Sequence, residues 1–92
     1  MILSFKHKGL KQFFKDGAVS GIQSNHKSRI RLILGRLHSS TKVQDMDLPG
    51  LYLHQLKGSN KERWSVRVSG NWRITFKFHG VDALEVNYED YH

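Results

Sequence analysis

From Arg63 onward the sequence alternates. Trp64, Val66 and Val68 fall on one parity, and Arg63, Ser65 and Arg67 on the other. The pattern returns over 71–79, where Trp72, Ile74, Phe76 and Phe78 are apolar and Arg73, Thr75, Lys77 and His79 polar. A period of two marks a half-buried strand. Ser69-Gly70 between the two runs fits a tight hairpin turn. Such a hairpin needs a cover for its apolar face and an environment for its charged one. Leu51 to Leu56 precedes the pair, and Ala83 to Tyr88 follows a His79-Gly80 turn, with Leu84, Val86 and Tyr88 sharing a face.

The cover comes from the first half. The single proline, in Asp47-Leu48-Pro49-Gly50, is a turn signal that separates a helical half from the strand half. Leu10, Phe13 and Phe14 have helical spacing within Lys6 to Asp16, and Gly17 follows as a stop. Ile30, Ile33, Leu34 and Leu37 follow i, i+3, i+4, i+7, with Ser24 or Asn25 as the cap. Ile2-Leu3-Ser4-Phe5 is a short strand candidate. The expected fold is α+β: an N-terminal helical hairpin packed on one face of an antiparallel β-sheet. At 92 residues the chain has room for one domain, 1–92.

Charge points to the partner. Fifteen Lys and Arg against eight Asp and Glu give +7, and a polyanion, nucleic acid first, is the natural complement. By parity Arg63, Arg67, Arg73 and Lys77 share the polar sheet face, about 5–8 Å apart across adjacent strands. Unless carboxylates such as Glu85 neutralise them, four like charges that close favour an anionic ligand. Cysteine is absent, which excludes disulfides and thiolate metal sites and fits a reducing cytoplasm. No apolar run approaches the roughly 20 residues of a membrane span. Lys6, His7 and Lys8 interrupt any secretory segment.

Acid–base chemistry needs groups that titrate near the working pH. His54 and His92 qualify, with Asp90 and Tyr91 beside the second and Lys57 close to the first. His92 is the last residue, but the strand leading to it can hold it against the sheet. His7, His26, His38 and His79 are dispersed, no metal-ligand spacing or phosphate-loop motif occurs, and neither metal nor cofactor is expected.

Five segments in order resemble one family. They are Ser4-Phe5-Lys6-His7-Lys8-Gly9-Leu10, Leu53-His54-Gln55-Leu56-Lys57-Gly58, Trp64-Ser65-Val66, Asn71-Trp72-Arg73-Ile74-Thr75-Phe76 and Tyr88-Glu89-Asp90-Tyr91-His92. Together they are similar to the HigB toxins, over nearly the whole chain. Gln55 stands where the family often has proline. The resemblance implies a RelE/ParE-like fold and the toxin of a type II toxin–antitoxin pair. It implies a ribosome-dependent endoribonuclease that cuts messenger RNA during translation. It also implies a helix-turn-helix antitoxin of the HigA kind, through which alone operator DNA is contacted. Carried over residue by residue, the site falls on His54, Lys57, Arg73, Asp90, Tyr91 and His92, with Arg67 as a further arginine.

A metal-free mechanism uses the 2′-OH of RNA as nucleophile. Lys57, Arg67 and Arg73 surround the phosphate, with Arg63 and Lys77 as further phosphate-binding candidates. Asp90 is the base or orienting group and His92 the acid, an assignment that can be reversed; His54 supports them, and Tyr91 stacks on a base. Lys8, Lys11, Arg29 and Arg31 are candidates for ribosomal RNA contacts. Two other functions fit the same residues: a ParE-like inhibitor of DNA gyrase, and a non-catalytic RNA-binding module.

Overall fold

The computed structural model describes residues 1–57 and 62–90. Two helices, α1 (Lys8–Asp16) and α2 (Lys27–Ser39), lie on one face of an antiparallel sheet of four strands in sequential order. The strands are β1 (His54–Gln55), β2 (Arg63–Ser69), β3 (Trp72–His79) and β4 (Asp82–Asp90). The α+β architecture is the expected one. No helix among the described residues is long and apolar enough to cross a membrane.

Helix α1 starts two residues later than its apolar spacing predicts. The Lys6 amide is spent on the Val86 carbonyl at 2.8 Å, because residues 2–5 run parallel along β4 through bridges Ile2–Ala83 and Phe5–Val86. The His7 ring then caps the helix, its Nδ1 accepting from the Leu10 amide at 3.0 Å. Gly17, at φ 78°, ends it by donating to the Phe13 carbonyl. Ser24–His26 form a 3-10 turn leading into α2, which has no side-chain cap, so neither Ser24 nor Asn25 plays the expected part. Leu10 and Phe13 of α1 and Ile30, Ile33, Leu34 and Leu37 of α2 are buried against Val66, Ile74, Phe76 and Val86 of the sheet.

Both tight hairpin turns form as expected, with Ser69 opposite Trp72 and His79 opposite Asp82. Two features escape alternation. The strand expected from Leu51 to Leu56 shrinks to His54–Gln55, although Arg67 N–Leu51 O (2.7 Å) and Leu56 N–Arg63 O (2.9 Å) keep its flanks beside β2. In β4 a bulge sets Glu85 and Val86 against Phe76, since Thr75 pairs with Asn87 but Lys77 with Leu84. Glu85 takes φ 50°, and its amide is satisfied by the Ser4 hydroxyl at 2.9 Å. The buried stripe of β4 is therefore Ala83, Val86 and Tyr88, and Leu84 turns to the face of Lys77 instead of joining Val86.

Candidate active site

The sheet face away from the helices is built in three cross-strand rows, about 7 Å apart along the strands. The first is Arg63, Lys77 and Leu84; the second His54, Ser65, Thr75 and Asn87; the third Arg67, Arg73 and Glu89. All four cations assigned to this face by parity are there.

The first row is neutralised. Arg63 is only 8% exposed. Its Nη2 donates to Thr75 Oγ1 at 2.8 Å and to the Glu85 carbonyl at 3.3 Å, and its Nη1 lies 3.5 Å from Glu85 Oε1. Lys77 Nζ lies 3.4 Å from Glu85 Oε2 and 3.8 Å from Glu62 Oε2. Both cations expected to bind phosphate here are thus committed to carboxylates.

The third row differs. Arg67 and Arg73 stand directly opposite each other, half-buried, and neither makes an ion pair among the described residues. Arg73 Nε is buried without a hydrogen-bond partner there. The Arg67 guanidinium sits 5.6 Å from the centre of the Tyr52 ring. Opposed like charges repel, and none of the ion pairs among the described residues relieves this pair.

Between the rows lies His54, exposed, with Nδ1 3.3 Å from the Tyr52 carbonyl and Ser65 Oγ 3.4 Å from either ring nitrogen. A carbonyl only accepts, so the Tyr52 contact is a hydrogen bond in the neutral tautomer that carries its proton on Nδ1, and in that tautomer Nε2 is the acceptor. Thr75, fully buried, accepts from Arg63 and donates to Glu89. Glu89, Thr75 and Ser65 are site residues that sequence reasoning did not single out. Glu89 was within reach, because Tyr88 is buried and its neighbour must point the other way.

Lys57 is exposed two residues beyond β1. Asp90 is exposed at the end of β4 and pairs in register with Trp72, so the carboxylate opposite Arg73 is that of Glu89. Tyr91 and His92 lie outside the described residues. The helical cations sit in the layer beyond the sheet. Lys8 and Lys11 are exposed, Arg31 covers the Phe13 ring at 5.4 Å, and Arg29 donates to the Gly50 carbonyl.

The strand ends that carry Arg73 and Glu89 are anchored from below. Trp72 and Tyr88 pack at 4.6 Å between ring centres, and the Tyr88 hydroxyl lies 2.6 Å from Nδ1 of buried His26. Burial pushes the Tyr88 phenol above its usual range, against a lowering contact from the Gln23 backbone. The histidines that looked dispersed are structural in three cases. His7 caps α1, His26 holds Tyr88, and His38 Nδ1 accepts from the Ile2 amide at 3.1 Å.

The chain matches a family described as HigB-like toxin, RelE-like toxin of type II toxin–antitoxin system HigB, over residues 3–92. It is also similar to a protein named Endoribonuclease HigB from Proteus vulgaris, 45% identical over 92 residues that make up 100% of both chains.

Proposed function

The chain belongs to the RelE-like HigB toxins, and from that premise we propose that it cuts messenger RNA on the translating ribosome. It is the toxin of a type II pair and an endoribonuclease, and an antitoxin is its partner. The observation that carries the finer proposal is the opposed pair Arg67 and Arg73, without carboxylate partners among the described residues, beside His54.

In the proposed mechanism the scissile phosphate sits on Arg67 and Arg73, with Lys57 closing from the β1 side. A base takes the proton of the 2′-OH, whose oxygen attacks the adjacent phosphorus. An acid protonates the departing 5′ oxygen. The guanidiniums stabilise the extra charge of the pentacoordinate state, which is where such donors matter most. Asp90 and His92 are the acid–base pair, in either order, with His54 supporting through Nε2. Tyr91 stacks on a base. Lys8, Lys11 and Arg31 contact ribosomal RNA through phosphates. The antitoxin is of the helix-turn-helix kind, carries the operator contacts, and meets the toxin in the cytoplasm.

The test is purified protein added to a defined translation system. Messenger fragments that require ribosomes, ending in a 2′,3′-cyclic phosphate or 3′-phosphate and a 5′-hydroxyl, are expected. Ends with a 3′-hydroxyl would mean attack by water and would overturn the mechanism. Equal cutting of free RNA would overturn the requirement for the ribosome.

A further inference from the structure

We propose that Tyr52 and Arg67 form a nucleobase-stacking subsite at the edge of the open sheet face, so that Tyr52 sets affinity for a base next to the bound phosphate. This rests on the RNA-cleaving function proposed above.

Tyr52 is 64% exposed, the most exposed large apolar side chain among the described residues. Its backbone is at φ 51°, a left-handed conformation that is unfavourable for a bulky residue. A free loop would relax. Here the backbone on both sides of its Cα has a partner. Leu51, 2% exposed, is in the core, and its carbonyl accepts from the Arg67 amide at 2.7 Å. On the other side the Tyr52 carbonyl meets His54 Nδ1 at 3.3 Å. The Gly50 carbonyl before them accepts from Arg29, which ties the loop to α2. The strained residue thus projects an aromatic ring into solvent from a fixed backbone.

Its place explains what the ring can do. Arg67 ends the row of the proposed phosphate site, and the Tyr52 ring lies 5.6 Å from its guanidinium carbon. Nucleobases in single-stranded RNA stack on tyrosine faces and on guanidinium planes, with little dependence on base identity. A phosphate on Arg67 and Arg73 brings its neighbouring bases to this edge. The alternative role, a ring that only shields the Arg67 stem, makes no use of a base.

The experiment uses a short, labelled, single-stranded RNA with 2′-O-methyl sugars, which carries no nucleophile and cannot be cut. Tyr52→Leu keeps the same backbone geometry and removes the aromatic face. It is expected to weaken binding about tenfold, the scale of one base on one aromatic ring. Tyr52→Phe and Tyr52→Trp should bind within about twofold of the unchanged protein, since both keep an aromatic face. The salt dependence should be unchanged in Tyr52→Leu, whereas Arg67→Ala should lower its slope by about one. Removing one base at a time from the probe should cost the unchanged protein the same factor at one position, and cost Tyr52→Leu nothing further there. Binding by Tyr52→Leu equal to that of the unchanged protein, a loss that Phe and Trp do not rescue, or no binding of the probe at all would overturn the subsite. Translation-dependent fragments alongside any of these would leave the nuclease standing. An intact stacking signature without fragments would refute the nuclease and keep the subsite.

Discussion

Arg63 faces Lys77 across the β2–β3 ladder, and two rows away Arg67 faces Arg73. The pairs have the same charge, the same strands and the same face. Around the first, Glu85 reaches both cations, Glu62 reaches Lys77 and Thr75 accepts from Arg63. Around the second no carboxylate closes an ion pair among the described residues, although Glu89 stands opposite Arg73. One end is sealed by the protein itself, and the other has no such counter-ion among the described residues. A count of positive charge cannot separate the two. Only the placement of the acids does, and that depends on the bulge in β4 and on where Thr75 directs Glu89.

If the open end is the reacting end, Arg73→Ala should show the largest effect on activity. Loss of a donor that acts mainly on the transition state costs about 2.7–4 kcal/mol, or 10²–10³ in cleavage rate. Ribosome affinity and melting temperature should change far less. Equal losses in binding and in single-turnover rate would make Arg73 a plain phosphate anchor and erase the functional half of the contrast.

The sealed end should respond the other way. The Arg63 side chain is 10% exposed, and removing it leaves the Thr75 hydroxyl without its donor and the half-exposed Glu85 with Lys77 alone. Arg63→Ala should cost about 1–3 kcal/mol of stability, read by denaturant unfolding. The folded fraction should still cleave within several-fold of the unchanged rate. A stable, folded Arg63→Ala protein with no cleavage would place Arg63 in the reaction and break the division between the ends.

Much of this is legible in the sequence alone. Alternation from Arg63 to Phe78 put the four cations on one face, because β2 and β3 are long, regular and joined by a tight turn. The apolar spacing of Ile30, Ile33, Leu34 and Leu37 marked the cover. The failures share a cause, namely backbone amides whose partners lie far away in sequence. Lys6 reads as helical until its amide bonds to Val86. Leu84 reads as core until Glu85 bulges and finds Ser4, 81 residues away. Tyr52, in a turn with no period at all, gives no signal, since its interest lies in a backbone conformation at φ 51° that no spacing encodes. The imidazole contacts of His7, His26 and His38 were equally hidden, because single histidines carry no spacing. Asp90 was legible as a terminal acid, but its register opposite Trp72 was not.

The smallest expected effect sharpens the contrast most, because it converts one end toward the other. Glu85 is the shared counter-ion, 3.5 Å from Arg63 and 3.4 Å from Lys77. Glu85→Gln removes its charge and keeps its shape. Arg63 retains its bonds to Thr75 and to the residue 85 carbonyl, and the Glu85 side chain is 46% exposed. The stability cost should therefore stay below about 1 kcal/mol. Lys77, left with the distant and 83% exposed Glu62, becomes available to a polyanion. Affinity for the uncleavable RNA probe should rise by about threefold, and the salt dependence should steepen by about one released counter-ion. A tighter complex with the steeper slope would show that Glu85 suppresses a phosphate contact that the strands otherwise offer. An unchanged slope would show that RNA never reaches Lys77, and that the phosphate track ends at Arg67 and Arg73 whatever the charge of its neighbours.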